Sequence, residues 1–542
     1  MKYAWAFLAI LSFLPRAAVA QKGDCGTIVL PAGAGDGPND DINSFSPLFA
    51  DNAYSEESGW LLYPNLLWIN RFSQIDWSRS LASAVTTTDD TVFTITLRPW
   101  HWSDGVPLTA QDVAYSFALA KQFGPSWPGY GGGGMPYIVK SLTVLNATQL
   151  QITTVHPVNP TWFMYNGIGG LEPLPEHAWK QYTLDQLLQM QSTPAFFNVV
   201  DGPVKIQRLD VGMDAVFVPN PAWEGPKLHF SRLVFEFLEG DGANIQGVES
   251  GAFDAAAVPT DLYSSVQHVP GVHVEILPQS VNQDVIALNY QNPAVSFFRD
   301  VRVRQAMEDA IDQNAIVQGL EHGNGDTAYG PVPHSFIQFL PPEMRAGQYP
   351  VGYDPAKARA LLEAAGFTPG PDGIMQKNGQ RLSFTYLEET GSDAITELDE
   401  ILQADFRASG IEMKLRPTEF NLIMALIEGP PDGWEATGFG QPTEPYPTGE
   451  GQYATGANQN QGGYSDPKMD QLINASIDRP DIKYLYEYET YTSTQQPVIF
   501  SPRLRPVILV RDRLHGMRDF LDPVGMFAPD QLYCTAEGKM PG

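Results

Sequence analysis

The chain has 542 residues, 43% of them hydrophobic and 18% charged, which excludes a disordered protein and gives length enough for two or three cores. Lys and Arg number 33 against 62 Asp and Glu, a formal net charge of −29. A field of that sign repels polyanions over about a Debye length, so nucleic acid and anionic membranes are excluded as partners. Scarce lysine also suits an acidic surrounding medium, in which many carboxylates are neutral.

In chain order, residues 1–20 have the plan of a cleaved signal peptide: Lys2, an apolar run over 4–14, then Ala18-Val19-Ala20 before Gln21. The run is too short to span a bilayer, and no later segment approaches ~18 uninterrupted apolar residues, so an exported, soluble mature chain is expected. Cys25 follows closely, but Lys22-Gly23-Asp24 lack the small, apolar character of a lipidation box. The only other cysteine is Cys534. In an oxidising compartment the pair predicts one disulfide tying the termini, with two free thiols as the alternative.

An apolar run at 27–30 reads as an opening strand, and a Gly/Asp/Asn-rich loop follows, ending in Asn43-Ser44-Phe45-Ser46-Pro47. Over 92–98, Phe93, Ile95 and Leu97 alternate with Thr94, Thr96 and Arg98, the period of a half-buried strand. Pro99 stops it and Ser103-Asp104-Gly105 supplies a turn. Thr109 is then an N-cap with Asp112 at N3, and Val113, Phe117 and Ala120 form an apolar stripe on the ensuing helix. Residues 123–137, FGPSWPGYGGGGMPY, make a glycine-rich loop carrying Trp127 and Tyr130. No Lys-Ser/Thr pair follows its glycines, so it is no phosphate cradle. It is either a mobile loop offering aromatic faces to a ligand or a surface turn. Asp300 caps a further helix with Val303, Ala306, Met307, Ala310 and Ile311 on one face, and its charges read as a solvated side.

The succession Leu97-Arg98, Trp102-Ser103-Asp104-Gly105 and Leu108-Thr109-Ala110-Gln111-Asp112-Val113 resembles the signature of the family 5, peptide-type solute-binding proteins of ABC importers. Leu174-Pro175-Glu176-His177-Ala178-Trp179, Asn220-Pro221-Ala222-Trp223, the run from Glu249 to Asp254 and Gly463-Tyr464-Ser465-Asp466-Pro467 extend the likeness over nearly all of the mature chain. The resemblance implies a two-lobed α/β fold of the type II periplasmic kind. Lobe one would comprise 21–288 with an inserted subdomain at about 54–180, lobe two 289–495, and 496–542 would return to lobe one. It makes Trp102 and Asp104 architectural and places the loop bearing Asn43 at the border of the ligand cleft.

The resemblance also implies a binding site over 420–446, with Phe420, Trp434, Phe439, Gln441, Glu444 and Tyr446 as its candidates and Trp127, Tyr130 and Asn43 beside them. Where peptide-binding relatives place an aspartate for the ligand's ammonium, Gln441 falls nearest, and Glu444 substitutes if the loop turns inward. No arginine or lysine lies between Pro417 and Tyr446 to clamp a ligand carboxylate. Neutral, hydroxyl-rich or capped ligands are therefore favoured over free peptides, with several of the aromatics being core on the plainer reading. No G-x-S-x-G, H-E-x-x-H or Cys-x-x-Cys motif occurs and the nine histidines are scattered, so neither an enzyme, a metal centre nor a cofactor is expected. The expected protein is a periplasmic monomer that closes over a solute and delivers it to a membrane permease. A sensor or chaperone on the same fold and, more remotely, a secreted hydrolase are the alternatives.

Overall fold

The computed structural model describes residues 23–31, 42, 44–49, 53–211, 213–236, 241–259, 262–277, 281–320, 322–391, 393–521 and 526–535. The expected leader and Asn43 lie outside them.

Among the described residues, lobe one contains three sheets of three or more strands. Thr27–Pro31 runs parallel to Arg232–Glu236, and Asp214–Pro219 and Val204–Asp210 continue that sheet antiparallel. Ala82–Thr87, Val92–Leu97, Gln149–Thr154 and Val139–Asn146 form an antiparallel four-stranded sheet within the span expected for the inserted subdomain. Phe93, Ile95 and Leu97 point into the core, as their alternation requires. Ala255–Ala257, Val507–Arg511 and Val272–Ile276 make the third.

The helix Ala110–Phe123 begins where its cap predicts, and Asp112 does more than cap. Its Oδ2 accepts the Thr109 N–H at 2.8 Å, while Oδ1 accepts the Glu176 N–H at 3.1 Å, so one carboxylate ties two separate motifs together. Asp104 receives His177 Nε2 at 2.9 Å, and the fully buried Trp102 packs beside Tyr63, itself in contact with Trp179. These signature residues build the scaffold. At the chain ends, Cys25 and Cys534 form a disulfide with Cα atoms 4.9 Å apart. Arg513 reinforces it, donating to the Cys25 carbonyl and forking onto Asp254.

Lobe two centres on a five-stranded mixed sheet in the order Glu412–Thr418, Ser383–Glu389, Ala436–Gln441, Gln283–Leu288, Ile499–Phe500. A boundary after Leu288 assigns Gln283–Leu288 to lobe one; its hydrogen bonds to Ala436–Gln441 put it in the second sheet instead. The chain therefore crosses between lobes twice, between Ile276 and Gln283 and between Phe500 and Val507.

The helix Val301–Ala310 departs from its expected solvated charge face. Arg304 is 3% exposed, and Glu308 and Asp309 are fully buried. Arg304 donates to the carbonyls of Phe298, Gln495 and Gln496, and Asp309 pairs with Lys357 at 2.9 Å. Glu308 accepts the Phe500 N–H at 2.9 Å and Gln313 Nε2 at 3.0 Å, so it holds the strand that ends at the second crossing. Sequence periodicity marks a polar face, but it cannot tell water from a second polar layer within the protein.

Burial raises the Glu308 carboxyl well above its ordinary range, and among the described residues no cation pairs with it to offset the cost. Glu308→Gln keeps one acceptor for the Phe500 N–H, and Gln313 Nε2 retains the Ala328 and Phe500 carbonyls, so stability should stay within ~1 kcal/mol. Glu308→Ala leaves the buried Phe500 N–H unpartnered and should cost about 1–3 kcal/mol in urea unfolding.

Asp201 and Glu489 are also pushed well up by burial, and Asp399 to about 7. The folded chain thus holds protons that unfolded carboxyls release near pH 4, so stability should fall as pH rises from about 4 to 8. Below that range the sign reverses: Arg381 holds Asp372 and Glu412 down at about 2, and their contribution is lost between about pH 4 and 2. Urea titrations across pH should give an optimum near 4 to 5; an optimum at neutral pH would contradict this account.

Candidate functional site

The candidate site grows from the end of Ala436–Gln441, where Gln441 lies opposite Gln283. Gly438 must be small there, since a Cβ would stand 2.3 Å from the Tyr386 hydroxyl oxygen. Beyond the strand, residues 442–452 read PTEPYPTGEGQ, a stretch in which proline fixes φ at three places and glycines permit a tight return. Glu444 turns inward and organises this return. Its two oxygens accept the Gly449 and Gly451 N–H groups at 3.0 and 2.9 Å. Tyr453 donates its hydroxyl to Gln441 Oε1 at 2.8 Å, and Gln452 Nε2 donates to the Pro442 carbonyl at 2.7 Å.

Two cavities flank Glu444. One, of about 10 Å³ and so large enough for a single water-sized group, is lined by Gln283, Gln441, Thr443, Gln452, Tyr453 and Tyr488 among others. Four buried polar atoms on these residues have no hydrogen-bond partner among the described residues: Gln283 Oε1, Thr443 Oγ1, Gln452 Oε1 and Tyr488 OH. The other, of about 200 Å³, is more apolar and opens between Leu67, Ile69, Tyr165 and Met526 of lobe one and Pro445 of lobe two, with Asn166 on its wall.

The same loop touches lobe one directly. Asn166 receives the Tyr446 N–H and donates to the Tyr446 carbonyl, at 2.8 and 2.9 Å. Asn159 donates to the Tyr446 hydroxyl at 3.1 Å, and Ser73 donates to the Pro445 carbonyl. Glu450 Oε1 accepts both the Trp162 indole N–H at 2.9 Å and the Gly133 N–H at 3.2 Å. Phe163–Ile168 is a π-helical turn, whose wider winding carries Asn166, and it follows directly on Trp162. Burial lifts Glu444 to about 7 and, together with the charge of Glu444, lifts Glu450 to about 8.

Of the residues proposed from sequence, the structure gathers Gln441, Glu444 and Tyr446. Phe439 is half-buried and packs against the cluster of Ala287, Leu387, Ile423 and Trp434. Phe420 opens the helix Phe420–Ile427, is 43% exposed and lines neither cavity. Trp434 corrects its assignment as a ligand platform: it is 3% exposed and packs with Ala287, Leu387 and Ile423. Trp127 is likewise core, and Tyr130 is spent against Tyr137. The glycine loop matters through its backbone. A Cβ on Gly133 would fall 2.2 Å from the Gly167 nitrogen, so only glycine allows the approach that delivers its N–H to Glu450.

Sequence reasoning missed Gln283, Thr443, Glu450, Gln452 and Tyr488; the dense proline and glycine of 442–451 was the available signal. It also missed Arg503, which comes from the second crossing. Arg503 is 2% exposed, its guanidinium has no hydrogen-bond partner among the described residues, and burial pushes it down to about 10 while Asp284, Asp326 and Tyr453 act on it electrostatically. Among the described residues no group of three or more His, Cys, Asp or Glu could hold a metal ion, and no helix is long and apolar enough to cross a membrane.

Comparison with known proteins places this architecture. The chain is 27% identical over 368 residues to the nickel-binding periplasmic protein of Escherichia coli K12, and that alignment covers 65% of each chain, just under two thirds of the relative. The oligopeptide-binding protein AppA of Bacillus subtilis, solved in complex with a nonapeptide, superposes with a TM-score of 0.75 at 19% identity, covering 95% of this chain and 100% of that one. NikA of Brucella suis, solved in complex with Fe(III)-EDTA, gives 0.75 at 18%, covering 94% and 100%. The model described as bacterial extracellular solute-binding proteins, family 5 Middle, matches residues 77–470, and the chain belongs to that family.

Proposed function

We propose that this protein is the periplasmic substrate-binding component of an ABC importer, exported by its leader, monomeric, and acting by lobe closure without chemical turnover. A solute enters between the lobes, stabilises the closed form, and is presented in that form to the permease. The family membership and the double crossing of the chain between lobes support this reading. The named relatives bind nickel or oligopeptides, so ligand class has to be argued from this chain's own groups.

One observation carries the choice. Gln283 Oε1, Thr443 Oγ1, Gln452 Oε1 and Tyr488 OH belong to residues lining the smaller cavity, and none has a hydrogen-bond partner among the described residues. Two are amide oxygens that can only accept, and the hydroxyls can do either. A buried acceptor left unmatched costs about 1–3 kcal/mol, so this end suits one small uncharged donor, a single hydroxyl or amide N–H of the solute. The larger cavity accommodates an apolar portion of the same solute. A neutral hydroxyl- or amide-bearing ligand fits this division better than a free amino acid chain with both termini charged.

Mass spectrometry of the solute that co-purifies, followed by thermal-shift measurements with neutral oligosaccharides, free peptides and end-capped peptides, tests the proposal. Neutral and capped ligands should raise Tm more than free peptides. Thr443→Val, which removes a hydroxyl that bonds nothing among the described residues, should weaken their binding about tenfold with the ligand-free Tm nearly unchanged. A free peptide bound tightly, and lost on Glu444→Gln, would replace this ligand class. Uptake unchanged after deletion of the protein would remove the transport role.

A further inference from the structure

We infer that Glu450 is a proton-linked latch between the lobes: they close as it takes up a proton and open as it loses one. The inference rests on the closure reading but concerns the protein without its solute.

Glu450 sits on the loop beyond Ala436–Gln441 in lobe two, and both donors to its Oε1 come from lobe one: the Trp162 indole and the Gly133 amide. Each donor is fixed by its own surroundings. Trp162 is 1% exposed and adjoins the π-helical turn, and Gly133 is pressed against Gly167 at a distance that excludes any side chain. Glu444, six positions earlier, is bonded within its own loop, to the Gly449 and Gly451 amides. One carboxyl therefore shapes the loop and the other reaches across the cleft.

Facing Glu450 are Glu444 on its own loop and, from lobe one, Trp162, Asn166 and the Tyr137 hydroxyl; facing Glu444 are Tyr453 and, from Lys483–Gln495, Tyr488. Glu489 on that helix acts on Tyr446 and Tyr488, so it adds negative charge to the same neighbourhood. Among the described residues neither carboxyl has an ion pair with lysine, arginine or histidine, and Arg503 acts on Tyr453. Closing thus moves the Glu450 carboxyl out of water, beside the buried Glu444, with no cation to meet it. The amide and indole donors soften this for Glu450 without cancelling it, since burial and Glu444 still raise it to about 8. In an open molecule Glu450 loses both cross-lobe donors, meets water and titrates near its ordinary value of about 4.3. Closure is therefore fully favoured below that value, and its advantage falls about tenfold per pH unit until the closed-state value is passed.

Small-angle scattering of the full chain from pH 5 to 9 reads this directly. The radius of gyration should be small at pH 5 and rise with pH, and Glu450→Gln, which copies the protonated acid, should remain compact to pH 9. Trp162→Phe, which removes one cross-lobe donor, should open at a lower pH than wild type, while Trp162→Phe combined with Glu450→Gln should lose the pH dependence. A wild-type radius constant over the range, or a Glu450→Gln transition matching wild type, overturns the inference. Should the variant fail to fold, exchange protection of the Trp162 indole N–H in wild type decides: protection that falls with rising pH supports the latch and uniform protection refutes it. Absence of solute binding at every pH, with the scattering transition intact, would remove the capture reading alone.

Discussion

The constraint on which the rest of the molecule depends is the double passage of the chain between lobes. Each passage joins strands of different sheets, Val272–Ile276 to Gln283–Leu288 and Ile499–Phe500 to Val507–Arg511, so any relative motion must be absorbed in a few residues. One passage is held from below by Glu308, which keeps the Phe500 amide engaged from a helix of lobe two. Beyond Phe500 the chain stays bonded to lobe two, Ser501 to the Asp284 carbonyl and Arg503–Leu504 paired with Gly325–Asp326. Arg505 then forks onto Asp326, so the change from one sheet to the other falls between Arg505 and Val507.

Much of the scaffold was legible because it obeys local rules. Phe93, Ile95 and Leu97 alternate and become a strand; Thr109 and Asp112 have capping-box spacing and start a helix; Asp300 caps where a cap is expected. The site was legible only in part. Gln441, Glu444 and Tyr446 belong to one short stretch and could be named together, whereas Trp434 and Trp127 could not be told from core, because aromatic composition is the same on either side of a sheet. Glu308 and Asp309 fall on the helix face opposite the apolar residues, a pattern that water and a buried polar layer share. Arg503 and Gln283 reach the cleft from the crossings, and Trp162 and Asn166 from the inserted region, through contacts spanning hundreds of residues that no local window contains.

A common chemical theme links core and cleft. The protein carries many more acids than bases, and it buries several of the acids with amides, hydroxyls and indoles as partners in place of cations. Such groups are tolerable where they stay protonated. Acidity in the composition and protonation in the interior are then two aspects of one adaptation, and the site shares in it because its own loop is shaped by Glu444.

The disulfide between Cys25 and Cys534, with Arg513 beside it, has a topological consequence. It closes the chain into a ring of 509 residues' separation, with both ends fastened to lobe one. Lobe two is thereby a loop let out from that ring, free of any terminus, and a single cut between the cysteines would still leave one covalent molecule. A tether on either chain end would hold lobe one and leave lobe two as the part that swings.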